Sequence, residues 1–309
     1  MKTKNDTAAI GIDIGGTHIT AALVSLEDGQ VLNGTKTRAA VNAHASAQEI
    51  LDIWTIAIRD TRQKAGKPIP KIGFALPGPF DYNNGISLIK NLHKYDALYG
   101  LNIKELLASG LDMDAAGIRM RNDTEAYLAG EAICGAARGY SKAIGITMGT
   151  GLGSAKTAAG VTLDVNLGSS PFRESIADDY LSTRWFVKRY REYCGATIHG
   201  VKELLELREG PNKEAVSMIL DEFYHNLALF LKGFIAAEDP DVVVIGGNIA
   251  EAYGLFYPPV RELLNGHCGR AIFKKAELGE DAALVGAVSY WMNASNDATI
   301  ENQAPRAAR

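Results

Sequence analysis

Two kinds of apolar pattern alternate along the chain. Short runs such as "AAIGIDI" (Ala8–Ile14) and Ile19–Leu26 are apolar at almost every position, the mark of strands covered on both faces. They are broken by Gly15 and Gly16, and "EDGQ" then predicts a turn into Val31. Over Ala47–Ala65 the spacing changes. Ile50, Ile53, Trp54, Ala57 and Ile58 recur at helical intervals. "KPIPKIGFALPGPFD" reads as a strand closed by a Pro/Gly turn. A short helix is predicted over Leu101–Ala108, a brief strand over Ile118–Met120, and a helix over Thr124–Ala137 with Gly139 as its stop.

The second half begins with "KAIGITMGTGLGSAKTAAGVTLDV", read as three strands joined by glycine turns. Helices are predicted over Ile176–Tyr193, Val201–Leu207 and Glu214–Ala237. In the last of these Val216, Ile219, Leu220, Phe223, Leu227, Phe230, Leu231 and Phe234 form one stripe. "DVVVIGGNIAEAY" reads as strand, glycine pair and helix, with Asn248 as N-cap and Glu251 in the reciprocal position. A final apolar helix is expected over Ala282–Met292, followed by a polar, disordered tail. Strands and helices interleave, so the fold class is α/β. "IGIDIGGTHITAALV" and "IGITMGTGLGSAKTA" share one plan, strand, glycine turn with Thr, strand, which suggests two related halves.

At 309 residues, two domains are expected. The net charge of −4 and the lack of a Lys/Arg block argue against a nucleic-acid partner. Cys134, Cys194 and Cys268 form no CxxC pair, so neither a zinc site nor a disulfide framework is suggested and a reducing, cytoplasmic location is expected. The N-terminal residues contain no signal-peptide h-region, and no run is long enough to span a bilayer. "STRWFVKRYREY" mixes basic and aromatic residues. Trp185, Phe186 and Tyr190 fall at helical spacing and are read as a packing stripe rather than a nucleic-acid surface.

The glycine turns carry the chemistry. Successive N–H groups in such turns form concavities suited to anions. Thr17 and Thr150 add hydroxyls. Asp13 would be repelled by a phosphate but could hold a hydrated Mg²⁺ beside one. The alternative is two plain hairpins. A dinucleotide fingerprint at Gly149, Gly151 and Gly153 is rejected because β-structure, not a helix, is predicted to follow, and no GK[ST] element exists.

With these pieces placed, the chain resembles the ROK family of sugar kinases, within the actin and hexokinase superfamily. The matching segments are "GIDIGGTHITAALV", "GFALPGPFD", "NLHKYD", "RNDTEAYLAGEA", "IGITMGTGLG", "VVVIGGNI" and "EDAALVGAVSYW", in family order over nearly the whole chain. The resemblance implies a two-lobed actin-like fold, each lobe a mixed sheet flanked by helices, with ATP and a hexose bound in the cleft. The smaller lobe would comprise residues 1–121 and 281–300, the larger 122–280, with 301–309 a disordered tail. Asp13, Gly15, Gly16 and Thr17 match the first phosphate motif, Gly149, Thr150 and Gly151 the second, and Gly246 and Gly247 the turn near the adenosine. Gly78, Asn91, Asn122 and Asp123 match sugar-contacting positions, and Asp123 matches the catalytic base. Asp123 could also cap the following helix, and Asn91 could equally make an Asx-turn.

The resemblance implies Mg²⁺-ATP as phosphoryl donor, a homodimer, and transfer to the 6-hydroxyl of a hexose. Glucose is the first expectation and an N-acetylhexosamine the alternative. A noncatalytic sugar-binding regulator of the same family is a further rival. DNA-binding members carry a helix-turn-helix before the first phosphate motif, where this chain has about ten residues.

Three departures stand out. His18 replaces a family Lys and is expected to pack or face solvent. The family's zinc-binding His/Cys element is missing, so no zinc is expected. Glu174 is taken as the replacement of that element's Glu and Asp178 as that of a later Glu, against the reading of both as a solvated helix start. Glu125 replaces an Asn beside the base, where sugar identity would be read.

Overall fold

The computed structural model describes residues 7–92 and 94–292. The polar tail lies outside the described residues. The described residues form two compact units, one within residues 7–126 and 283–292, the other of Tyr127–Ala282.

In the first unit, β1 (Ala8–Ile14), β2 (His18–Ser25) and β3 (Thr37–Ala40) form an antiparallel meander, and β4 (Ile72–Leu76) and β5 (Ile118–Asn122) extend it in parallel beside β1. The strand order is β3-β2-β1-β4-β5. Both faces of β1 and β2 are buried, which is why their sequences are continuously apolar rather than alternating. Helix α1 (Ala47–Ala65) starts at a full capping box. Ser46 Oγ accepts from the Glu49 N–H, and the Glu49 carboxylate accepts from the Ser46 N–H. Its buried face, with Ile50, Trp54 and Ile58, packs into one core with Ile10, Ile12, Phe74 and Met120. Helix α2 spans Ile103–Gly110, and α3 (Asp123–Cys134) follows β5 directly and from Tyr127 onward belongs to the second unit.

The second unit repeats this scheme. Strands β6 (Lys142–Met148), β7 (Leu152–Ala158) and β8 (Val161–Asp164) form a meander, and β9 (Val242–Gly246) and β10 (Ile272–Lys275) add in parallel, in the order β8-β7-β6-β9-β10. Around it lie α4 (Thr183–Cys194), α5 (Val201–Glu206), α6 (Lys213–Glu238) and α7 (Tyr253–Leu264), while α8 (Asp281–Met292) belongs from Ala283 onward to the first unit, where Leu284 lies against Gly11 and Ala287 against Gly73. The α6 stripe, from Val216 to Phe234, is buried against Trp185, Phe186 and Tyr190 of α4, so the aromatic run is core. The strand that follows Gly151 is antiparallel to β6, as a hairpin and not a dinucleotide fold requires.

Two element predictions fail. Ile176–Tyr193 is not one helix. Ser175–Ile176 pairs with Pro171–Phe172 in a small hairpin, a 3₁₀ turn covers Ala177–Asp179, and only Thr183–Cys194 is α-helical. Tertiary partners override the local pattern there, since the Ala177 N–H donates to Ser170 O and the Leu152 N–H to Asp178 Oδ1. Nor does Asn248 cap a helix. Gly247 takes the cap position of a 3₁₀ turn over Asn248–Ala252, and the Glu251 carboxylate pairs with Lys275 Nζ at 2.9 Å. Among the described residues, no helix is long and apolar enough to cross a membrane.

Candidate active site

In the first unit, residues 15–17 are the three-residue link between β1 and β2, whose last pair is Ile14 with Ile19. Gly15 N–H donates to His18 O at 2.9 Å. Gly16 and Thr17 are exposed. From the other side, Tyr95 Oη donates to Gly15 O at 2.5 Å. Tyr95 is buried, and burial together with the Asp13 charge holds its phenol protonated well above the usual range. Asp13 itself is half-buried near the end of β1, two residues before the turn begins. Tyr95 lies in "NLHKYD", but nothing in the sequence marks its link to a glycine eighty positions earlier.

Asp123 opens α3 at the end of β5. The helix is capped chiefly by Asn122, whose Oδ1 accepts from the N–H groups of Thr124 at 2.8 Å and Glu125 at 3.2 Å. Asn122 Nδ2 donates to Tyr82 Oη at 3.3 Å, and Tyr82 Oη donates to Leu76 O. The side chain assigned to sugar contact is therefore largely committed to the scaffold. Asp123 Oδ1 accepts from the Thr124 N–H at 2.8 Å, and among the described residues Oδ2 makes no hydrogen bond. Burial raises the Asp123 carboxyl above the ordinary aspartate value of 3.8. The Thr124 N–H and the Lys94 charge oppose that rise without cancelling it. Gly78 lies beside Tyr82, whose Oη is 3.1 Å from where a Gly78 Cβ would sit. Asn91 is exposed, with φ at 60°, a left-handed conformation that Asn tolerates.

Glu125 faces inward on its own scaffold. It forms an ion pair with Arg121 at 2.9 Å, and that buried guanidinium also reaches Gly286 O, Ser289 Oγ and the Tyr290 ring. This pairing anchors the residue that stands where the family commonly has Asn. An arginine four residues upstream was the available signal.

In the second unit, residues 149–151 link β6 to β7 in the same way. Gly149 N–H donates to Gly151 O at 3.0 Å, Gly149 O accepts from the Thr183 N–H at 2.8 Å, and Thr150 is exposed. Thus each turn has its first glycine carbonyl held by a donor from elsewhere in its unit. Asp178 holds the far end. Its Oδ1 accepts from the Leu152 N–H, and its Oδ2 pairs with Arg184. Asp178 is a half-buried brace for the turn, not a solvated helix start. Glu174 is different, lying exposed at the tip of the Pro171–Phe172/Ser175–Ile176 hairpin.

Gly246 and Gly247 end β9. Gly247 has φ at 83°, and a Cβ there would lie 2.4 Å from Met148 O, so the turn lies hard against the end of β6. Tyr127 covers Gly246, with its Oη only 2.0 Å from a Cβ at that position, and it accepts from the Gly247 N–H. Burial and the Glu131 charge keep its phenol protonated. This role leaves no local mark in the sequence. Among the described residues, no group of three or more His, Cys, Asp or Glu side chains is placed to hold a metal ion, and the three cysteines are free thiols.

The ROK family model matches residues 9–168 and 173–294. The glucokinase of Thermotoga maritima is 25% identical over 91% of this chain and 96% of its own length. The N-acetyl-D-glucosamine kinase of Mannheimia succiniciproducens is 24% identical over 91% and 98%. Among solved structures, a ROK family glucokinase from Streptomyces griseus in complex with glucose and AMPPNP superposes with a TM-score of 0.73. It is 22% identical, with 92% of this chain and 98% of that one covered. The fold is that two-lobed, actin-like α/β architecture.

Proposed function

The chain belongs to the ROK family, and from that premise we propose that it is an ATP-dependent sugar kinase acting on the 6-hydroxyl of a hexose. The observation that carries the reading is Asp123, a carboxylate fixed at the start of α3 through Oδ1, with Oδ2 uncommitted and its pKa raised toward that of a working base. Phosphoryl transfer asks little covalent chemistry of the protein. Asp123 Oδ2 accepts the proton of the attacking hydroxyl and orients its oxygen, and Gly78, Asn91 and the Asn122 amide N–H group contribute to the sugar's surroundings. Thr17 and Thr150, with the N–H groups of their turns, donate to phosphate oxygens. The Gly246–Gly247 turn supports the nucleotide.

One carboxylate beside an exposed Gly-Thr turn suits Mg²⁺, which keeps several waters and takes its other ligands from phosphate. Asp13 fits that role, since it lies near the end of β1, two residues before that turn begins. Bound there, the ion would neutralise phosphate charge. Glucose is the proposed acceptor. An N-acetylhexosamine is the second reading, favoured by the N-acetyl-D-glucosamine kinase relative of equal coverage. Glu174 could belong to the sugar's surroundings, although it lies exposed on its hairpin.

The test is a coupled ADP-release assay over glucose, mannose, fructose and the N-acetylhexosamines. One or more sugars should drive ADP formation, and Asp123→Asn should reduce turnover about 10²–10⁴-fold. Near-normal turnover in Asp123→Asn would remove Asp123 as the base, and no sugar-dependent ADP across the panel would reject the kinase reading.

A further inference from the structure

We propose that Arg38 and His18 are positioning residues that aim the Thr17 hydroxyl at the phosphates of the nucleotide. The inference deepens the kinase reading and rests on it for the identity of the ligand. It starts from the register of two strands. In the β2–β3 pair, Thr20 faces Arg38 and His18 faces Ala40, so Arg38 and His18 are diagonal neighbours on one face of the sheet. Arg38 Nη2 lies 3.2 Å from His18 Nε2, and His18 Nδ1 lies 3.2 Å from Thr17 Oγ1. The three side chains thus form a line that ends on the exposed turn.

Hydrogen-bond chemistry gives that line a direction. A guanidinium has donors and no acceptor, so Nε2 must accept from Arg38. A neutral imidazole then carries its hydrogen on Nδ1, which donates to Thr17 Oγ1. The hydroxyl receives this bond on a lone pair and keeps its own hydrogen for another acceptor. Were Thr17 the donor to the ring, that hydrogen would be spent. A phosphate oxygen needs a donor, and each bond in the chain polarises the next. The imidazole is also fixed in place. It lies over Gly15, and Cε1 is 3.2 Å from where a Gly15 Cβ would sit, so the first glycine of the turn leaves room for the ring. The relay stands on paired strands, which hold geometry better than a free loop does. His18, expected to pack or face solvent, is half-buried over Gly15, and its contacts serve the turn.

The experiment is titration calorimetry of ATP and of adenosine into the full chain. Arg38→Met and His18→Phe, which keeps a ring over Gly15 but makes neither hydrogen bond, should each weaken ATP binding about tenfold and leave adenosine binding unchanged. Arg38→Lys should recover part of the loss. In a Thr17→Val background, Arg38→Met should cost far less, because the hydroxyl it acts through is gone. Wild-type affinity for ATP in both Arg38→Met and His18→Phe, equal losses for ATP and adenosine, or an undiminished effect of Arg38→Met beside Thr17→Val would each overturn the relay and leave the kinase reading standing. If the wild-type chain binds ATP with these differences yet no sugar draws ADP from it, the kinase reading fails and the relay stands. If the wild-type chain binds no ATP, both fall.

Discussion

At the scale of the residue, Asp123 sets two expectations of opposite sign. As a base it works ionised, so kcat/KM falls as pH drops through its pKa. Because burial raises that pKa, the acid limb should lie above the ordinary aspartate value of 3.8. Lys94 opposes the rise, so Lys94→Met should move the limb to higher pH, and a limb that stays put would remove Lys94 from the site's electrostatics. For stability the same shift acts as a penalty. A carboxyl with a raised folded-state pKa disfavours the folded state once the pH exceeds its unfolded value, and the cost is absent below that value. Asp123→Asn should therefore melt higher than the wild type at neutral pH, with the gap closing on acidification toward 3.8. A gap independent of pH would contradict the burial argument. Asp123 was legible as a candidate base because its neighbours on either side form a motif. Tyr95, Tyr127 and Arg38 were not, since each acts on a turn distant in sequence, and such pairs leave no local pattern. The Arg121–Glu125 ion pair, by contrast, joins residues only four positions apart and is written locally.

At the scale of the element, the long apolar runs and the stripe of α6 were plain in the sequence, because burial on both faces or on one face writes itself as composition and period. The segment between Ile176 and Tyr193 was not, because its conformation is set by Ser170, Leu152 and the small hairpin rather than by its own spacing. A similar long-range tie closes α3. Glu131 is fully buried, and its carboxylate accepts from the N–H groups of Ala136, Glu277 and Leu278. Those donors belong to the end of α3 and to the segment before α8. Glu131→Ala would leave the buried Ala136 N–H unpaired, at about 1–3 kcal/mol, and free two part-buried N–H groups at a smaller cost. Chemical denaturation should show a loss of at least about 1 kcal/mol. An unchanged midpoint would mean that water replaces the carboxylate without penalty.

At the scale of the molecule, one architecture is used twice. The likeness of "IGIDIGGTHITAALV" and "IGITMGTGLGSAKTA" covers two strands, yet the correspondence extends to whole sheets. Each has a three-stranded meander followed by two parallel strands in the same order. Beyond the meander the sequences have diverged, and topology alone preserves the likeness. The units differ in what surrounds their turns. The first has Asp13, Tyr95 and the Arg38–His18 pair, while the second has Asp178 with Arg184 and the Gly246–Gly247 turn under Tyr127. The central claim is that this doubled scaffold moves a phosphoryl group from ATP to a sugar alcohol. The direct measurement is phosphorus NMR of the wild-type chain incubated with ATP, Mg²⁺ and glucose, or the hexose most active in the ADP-release panel. The account predicts a new phosphomonoester signal on the sugar C6 oxygen, growing in step with ADP. Release of inorganic phosphate with no sugar ester, or an ester on another hydroxyl, would contradict it.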